Sequence, residues 1–181
     1  SHKALAFVDM EIPLREGGAR GQVMLAPKVE ARMLQDLEVH KHEKVMEIGA
    51  GSGYMAALLA HRAQRVISFE MVEELAQMAR ANLQRSGVYN AEVRTGDGAQ
   101  GSAAEGPFDV IVLSGSVAQV PQHLLTQLKV GGRLSAVVGT EPVMRATFVT
   151  RVSDTAYRTV QPWDTVAPRL LGFPEPSRFE F

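Results

Sequence analysis

The 181-residue chain contains no cysteine, which excludes disulfide bonds, thiolate zinc sites and cysteine nucleophiles. It also lacks an excess of charge of either sign, because 19 Lys and Arg oppose 20 Asp and Glu. Without a basic stripe, neither a nucleic-acid groove nor a polybasic membrane arm is expected. No apolar run approaches the roughly 18 residues of a membrane-spanning helix. Charged residues interrupt the first twenty positions, so no export signal is visible and a cytoplasmic location is expected.

The pattern from Val45 onward predicts an α/β fold with a mostly parallel sheet and helices on both faces. Short β-branched runs alternate there with stretches of helical periodicity. After Val138 two further runs follow in close succession, which predicts an antiparallel C-terminal hairpin. The predicted strands, hairpin included, are Lys44–Ile48, Arg65–Glu70, Ala91–Thr95, Phe108–Leu113, Arg133–Val138, Ala146–Val152 and Ala156–Val160.

Apolar residues at helical spacing predict three helices outside the glycine-rich turn described next. The first starts after Pro27, and the second carries an apolar stripe over residues 72–83. The third runs from about Pro121 to Leu128 and is expected to stop at Gly131-Gly132.

The most informative stretch is Val45-Met46-Glu47-Ile48-Gly49-Ala50-Gly51-Ser52-Gly53-Tyr54, a predicted strand that enters three alternate glycines and then a helix. Such a turn lets the backbone approach a ligand closely and directs helix N-terminal amides toward it. Glu70 lies at the end of the next predicted strand, where a carboxylate can accept both hydroxyls of a ribose. The turn and Glu70 together indicate a nucleoside site.

Two cofactors compete for this arrangement, a nicotinamide dinucleotide and S-adenosyl-L-methionine. A dinucleotide site places its third glycine one position later, where this chain has the bulky Tyr54. Glu47 would repel a pyrophosphate, whereas a carboxylate attracts the ammonium and sulfonium groups of S-adenosyl-L-methionine. Spacing and electrostatics therefore favour the sulfonium cofactor, and a nicotinamide-dependent oxidoreductase is a weaker alternative.

Four motifs in order resemble those of class I S-adenosyl-L-methionine methyltransferases, which have a Rossmann-like fold. They are the glycine turn with Glu47, Glu70, Gly96-Asp97-Gly98, and the run Leu128-Lys129-Val130-Gly131-Gly132-Arg133-Leu134. Within that class the chain resembles the protein-L-isoaspartate O-methyltransferase family. The residues that carry this resemblance are Gly21-Gln22 with Pro27, Gly51-Ser52-Gly53-Tyr54, Gly96-Asp97-Gly98 and Val120-Pro121-x-x-Leu124-Leu125-x-Gln127-Leu128.

The resemblance implies a cofactor, S-adenosyl-L-methionine, and a role for each matching residue. Glu70 would hold the ribose, Asp97 would accept from the adenine amino group, and Met71 would flank the adenine ring. The full set of implied cofactor-binding residues is Glu47, Gly49, Ala50, Gly51, Ser52, Gly53, Tyr54, Glu70, Met71, Asp97, Gly98 and Ser114. The substrate-side candidates are Leu25, Ser114 and Ser116. No residue is assigned as a certain catalytic group, because an acceptor carboxylate is already ionised and requires no general base.

The chain length predicts a single domain over residues 1–181, and the resemblance, which covers about Leu5 to Val138, identifies it as a methyltransferase domain. We expect a substrate-side lead-in loop over 1–26, a cofactor-binding core over 27–140, and a hairpin and tail over 141–181. The expected partner is a protein or peptide substrate whose damaged carboxylate is methylated, a step in protein repair. No nucleic-acid or membrane partner is expected, and a monomer is favoured.

The lead-in loop departs from the family pattern Gly-Gln-Thr-Ile-Ser-x-Pro at two positions. Val23 and Leu25 stand where the family has the Thr and Ser hydroxyls that contact the acceptor carboxylate. Hydrogen bonds to a charged group contribute about 1.5 to 3 kcal/mol each, so we expect weak methylation of isoaspartyl peptides unless backbone amides or water substitute. A methyltransferase for a different acceptor, or a non-catalytic S-adenosyl-L-methionine-binding module, are the alternatives.

Other polar and aromatic residues have ordinary structural interpretations. His40, His42 and His61 are interpreted as solvated, so no metal site is implied. Trp163 is interpreted as an anchor for the proline-rich tail rather than as a lid. Residues 178–181 alternate in the manner of a short edge strand.

Overall fold

A computed structural model of the chain describes residues 25–176. Within them, seven strands form one sheet with the order β3-β2-β1-β4-β5-β6-β7. The first five strands are parallel, and β6 and β7 are antiparallel to their neighbours. The predicted fold class is confirmed. The strands are β1 Lys44–Ile48, β2 Arg65–Glu70, β3 Ala91–Thr95, β4 Phe108–Val117, β5 Leu128–Thr140, β6 Val143–Arg151 and β7 Tyr157–Asp164.

The helices cover both faces of the sheet. Those in the described residues are α1 Pro27–Leu37, α2 Tyr54–Arg62, α3 Glu73–Arg85 and the single turn α4 Gln122–Leu125. Val45 and Val66 belong to the apolar cluster that contains α1, α2 and α3, whereas Met46 and Ile67 pack with α4 on the opposite face. Because β1 and β2 are covered on both sides, their central residues are buried whichever face of the sheet they lie on.

The predicted third helix is wrong beyond its first turn. The helix ends at Leu125, and β5 begins at Leu128 and runs through both glycines that were expected to stop the helix. The register between β4 and β5 shifts from Phe108 to Val110 of β4. The facing segment of β5, which contains Gly131 and Gly132, therefore forms a bulge. Gly131 has φ +86°, and a Cβ on Gly132 would lie 2.9 Å from the Asp109 carbonyl oxygen. Gly131 therefore provides the left-handed backbone conformation of the bulge, and Gly132 allows the close approach of β4 and β5.

The C-terminal hairpin is confirmed, and Trp163 anchors its last strand to α1. The Trp163 indole N–H donates to Asp36 at 2.9 Å, and the Arg32 guanidinium lies 4.4 Å from the ring centroid. Pro162 is accommodated because β7 is an edge strand. The edge strand predicted at residues 178–181 lies outside the described residues.

No helix among residues 25–176 is long and apolar enough to cross a membrane. Most of the lead-in loop, including Val23, also lies outside the described residues.

Candidate functional site

A pocket opens at the carboxyl ends of β1, β2 and β4, where ligands gather in open α/β sheets. The space between its walls is about 680 Å³, a volume that includes open solvent at the mouth of the pocket. The pocket brings together seven predicted site residues from four separate segments: Gly49, Gly51, Glu70, Met71, Asp97, Gly98 and Ser114. The other predicted cofactor residues, which are Glu47, Ala50, Ser52, Gly53 and Tyr54, are buried in or beneath the turn.

The glycine turn links β1 to α2 and forms one wall of the pocket. Gly49, Gly51 and Gly53 all have positive φ, at 91°, 53° and 89°, which a side chain would strain. A Cβ on Gly53 would also lie 3.1 Å from the Ala79 carbonyl oxygen, so the third glycine lets α3 pack closely. The first two glycines therefore shape the pocket, and the third supports it from behind.

Glu70 ties the glycine turn to the end of β2. Its two carboxylate oxygens accept separate hydrogen bonds from the backbone N–H groups of Gly51 and Val72, each at 3.1 Å. Glu70 is buried except for the side that lines the pocket. A carboxylate oxygen accepts more than one hydrogen bond, so Glu70 retains acceptor capacity toward a ligand.

Asp97 and Met71 stand at the outer side of the pocket. Asp97 Oδ1 accepts from the Ala99 N–H at 2.8 Å, which orients the carboxylate within its turn. Met71 is 43 % exposed although it is apolar, so its side chain is available to a flat ligand. Gly98 follows Asp97, and a Cβ there would lie 2.8 Å from Phe69 Cβ.

Glu47 is a fully buried carboxyl group directly below the pocket. It accepts hydrogen bonds from the hydroxyls of Ser68 at 2.6 Å and Ser114 at 2.5 Å. Burial raises the pKa of Glu47 to about 7, with a smaller raising contribution from the charge of Glu70, while the two seryl hydrogen bonds act in the lowering direction. A cation bound in the pocket would favour the ionised form of Glu47.

A segment that sequence reasoning missed covers one side of the pocket. We call residues 167–173 the C-terminal strap. The Ser116 N–H donates to the Pro168 carbonyl at 2.7 Å, and the Leu170 N–H donates to the Ser116 carbonyl at 2.8 Å. Leu170 Cδ2 lies within 2.8 Å of the positions that a Cβ on Gly49 or Gly115 would occupy. The prolines predicted an extended tail, but no local pattern indicated where this tail would pair.

The substrate-side candidates are partly covered by this arrangement. Ser114 lines the pocket, but Ser116 is fully buried, and its hydroxyl lies 3.4 Å from Arg169 Nη1. Both serines lie inside β4, which extends four residues beyond its predicted end. Leu25 is 2 % exposed and belongs to the core on the α1 side. Within residues 25–176, no three His, Asp or Glu side chains converge as a metal-ligand group.

The chain matches a known family over most of its length. The family model described as protein-L-isoaspartate(D-aspartate) O-methyltransferase matches residues 1–165. A curated protein-L-isoaspartate O-methyltransferase of Methanoculleus marisnigri is 45% identical over 135 residues, which are 75% of this chain and 60% of that protein. The chain thus spans less than two thirds of this relative's length.

Two solved structures are similar in fold. A protein-L-isoaspartate O-methyltransferase aligns with a TM-score of 0.78 and 25% identity, covering 92% of this chain and 57% of that one. A putative protein-L-isoaspartate O-methyltransferase of Plasmodium falciparum, solved in complex with S-adenosyl-L-homocysteine, aligns with a TM-score of 0.69 and 20% identity. That alignment covers 92% of this chain and 84% of the other, and it shows likeness of fold alone.

Proposed function

Because the chain belongs to the protein-L-isoaspartate(D-aspartate) O-methyltransferase family, we propose that it transfers a methyl group from S-adenosyl-L-methionine to a carboxylate of a damaged protein or peptide. The observation that carries the proposal is the junction of Glu70 with the glycine turn at the wall of the pocket. A cytoplasmic location is part of the proposal.

The pocket suits the proposed cofactor in charge and in shape. Glu70 and Asp97 line it and Glu47 lies beneath it, so the site favours a cationic ligand over a pyrophosphate. The positive-φ glycines bring bare backbone to the pocket wall, and the absence of a Cβ at Gly98 leaves room beside Phe69 and Ile48. Each of these features supports a nucleoside with a cationic tail.

We assign the residues to the parts of the cofactor as follows. Glu70 accepts from the ribose hydroxyls while keeping its backbone bonds, and Asp97 accepts from the adenine amino group. Met71 covers one face of the adenine ring. The turn from Gly49 to Gly53 lies along the methionine portion, and Ser114, held by Glu47, borders the methyl group.

The reaction then depends on positioning rather than on proton transfer. S-adenosyl-L-methionine supplies an electrophilic methyl group attached to a sulfonium. An acceptor carboxylate is ionised near neutral pH, so the protein is required only to hold it in line with the departing sulfur and to exclude water. Such orientation contributes up to roughly 7 to 11 kcal/mol to catalysis. This accounts for the lack of an acid–base pair among the pocket residues described.

Calorimetric titration with S-adenosyl-L-homocysteine tests the cofactor assignment. We expect Glu70→Ala to weaken binding by about 2 to 4 kcal/mol, because it removes charge-assisted acceptors and releases the glycine turn. Asp97→Asn should cost only about 0.5 to 1.5 kcal/mol, since an amide oxygen still accepts from a neutral amino group. Asp154→Asn, in the exposed β6–β7 turn, is the matched control and should bind normally.

The titration is paired with an activity measurement. Incorporation of labelled methyl groups into a peptide with one isoaspartyl residue is compared with the aspartyl form of the same peptide. Binding without methylation of either peptide would reduce the proposal to a non-catalytic binding module. Absence of S-adenosyl-L-homocysteine binding in the folded wild-type protein would refute the cofactor assignment itself.

A further inference from the structure

An anionic acceptor faces an electrostatic difficulty in this pocket. The carboxylates of Glu70 and Asp97 line it, and Glu47 lies below Ser114. Like charges repel strongly where water is partly excluded, so a substrate carboxylate needs a positive group nearby. Arg169 of the C-terminal strap is the only Lys, Arg or His among the described residues that line the pocket.

The fold holds Arg169 beside the ends of β4 and β5. Its backbone forms a parallel bridge with Ser116 near the carboxyl end of β4. The next residue, Leu170, packs against Gly49 of the glycine turn, and Arg169 Nη1 itself lies 3.4 Å from the Ser116 hydroxyl. Its Nη1 donates to the Gly139 carbonyl at 2.9 Å, which fixes the guanidinium beside the end of β5.

The opposite edge of the same guanidinium already binds a carboxylate. Glu175 Oε1 lies 2.8 Å from Arg169 Nε. The Glu175 side chain is 53 % exposed and follows the strap in a segment without regular structure, so a competing carboxylate can displace it. The Arg169 side chain is itself 27 % exposed. Guanidinium groups match carboxylates geometrically because their N–H groups form a planar fork.

We propose that Arg169 binds the carboxylate of the methyl acceptor, and that Glu175 occupies this guanidinium edge until the acceptor arrives. The inference rests on the proposed function and assigns that function a specific anion receptor. Leu25, the one described residue of the lead-in loop that stands at a hydroxyl position of the family pattern, has a buried apolar side chain that offers the acceptor no hydrogen bond. Arg169 supplies that interaction from the other end of the chain.

Steady-state methylation of an isoaspartyl peptide by the full chain tests the assignment. Arg169→Gln should raise KM for the peptide at least tenfold while S-adenosyl-L-homocysteine affinity stays within about twofold. Arg169→Lys keeps the positive charge but loses the planar fork of N–H groups, so its KM should lie between the KM of wild type and that of Arg169→Gln. Glu175→Gln removes the competitor and should lower KM two- to fivefold. Arg158→Gln, on the exposed face of β7, is the control and should not change KM.

A second ligand separates anion binding from a structural role of Arg169. The peptide in which the isoaspartyl carboxylate is replaced by its amide is used as a competitive inhibitor. Wild-type protein should bind the carboxylate form at least tenfold more tightly than the amide form, and Arg169→Gln should bind the two forms nearly equally. A variant that weakens both peptides alike would show a structural role and overturn the proposal.

The outcomes distinguish this inference from the proposed function. If the wild-type protein methylates the peptide and Arg169→Gln does so with unchanged KM, the function stands and the receptor assignment is wrong. If Arg169→Gln loses S-adenosyl-L-homocysteine binding as well, Arg169 supports the cofactor site and the assignment is again wrong. If wild-type protein binds S-adenosyl-L-homocysteine but neither methylates nor binds the peptide, both the proposed acceptor and its receptor are refuted.

Discussion

At the level of single residues, Glu30 is a buried acid whose loss of hydration is not fully offset by hydrogen bonds. It is 4 % exposed in the first turn of α1, and its Oε2 has no hydrogen-bond partner. Burial, with a smaller contribution from the charge of Glu47, raises the pKa of Glu30 well above its usual value. The folded state therefore holds a proton that the unfolded chain releases near pH 4.5, so stability falls as pH rises above that value toward the folded pKa.

Glu30→Gln removes this titration while keeping the side-chain shape. We expect the variant to match wild type within about 0.5 kcal/mol at pH 4 and to have the higher unfolding free energy at pH 8, because Gln carries no charge that burial would penalise. Urea denaturation at both pH values measures the difference. A variant whose advantage is equal at the two pH values would show that Glu30 does not titrate between them.

At the scale of elements, one ion pair joins the end of α1 to β1 and β5. Arg133 donates to both carboxylate oxygens of Glu43, at 2.6 and 2.9 Å, and also to the carbonyls of Leu37 and Glu38 at the end of α1. Burial alone would raise the pKa of Glu43, but hydrogen bonds from Arg133 and the His40 N–H outweigh it and lower the pKa to about 2. The stabilisation is thus complete above pH 4.5 and is lost as pH falls toward 2.

Glu43→Gln should destabilise the protein by about 3 kcal/mol at pH 7, because it leaves the partly buried Arg133 without its counter-charge. The difference from wild type should shrink as pH falls from about 4.5 toward 2. Denaturant titrations across this range measure it. Lys129→Gln breaks an exposed ion pair with Asp109 and serves as the control, with an expected cost below about 1 kcal/mol. Equal losses in the two variants would contradict the role assigned to Glu43.

At the scale of the whole molecule, the pocket joins segments from residue 48 to residue 171. A ligand that contacts them binds only the folded chain, so it stabilises the domain as a unit. At about 100 times its Kd, S-adenosyl-L-homocysteine should add about 2.7 kcal/mol, which corresponds to a rise in Tm of roughly 5 to 10 °C for a chain of this size. Differential scanning calorimetry measures the shift, and Glu70→Ala should abolish most of it at the same ligand concentration. Saturated binding without any rise in Tm would contradict this linkage.

Local patterns predicted the first half of the fold well. The bounds of β1, β2 and β3 agree with prediction, because short β-branched runs and the glycine turn act over a few residues. The pair Gly131-Gly132 misled the same reasoning, since glycines after an apolar run end a helix in one context and form a bulge in another. Only the register between β4 and β5 decides between them, and that register depends on residues about 20 positions apart.

Local sequence patterns are enough to predict the fold class, the glycine turn and Glu70 as the acidic residue beyond it, because these follow from backbone sterics and short-range periodicity. Long-range packing separates the predicted site residues that line the pocket from those that, like Tyr54 and Glu47, support it from below. It also brought Arg169 and Leu170 against Ser116 and Gly49, a pairing of segments more than fifty residues apart. Such contacts arise from packing of distant segments, and no local pattern encodes the partner that an extended tail will find.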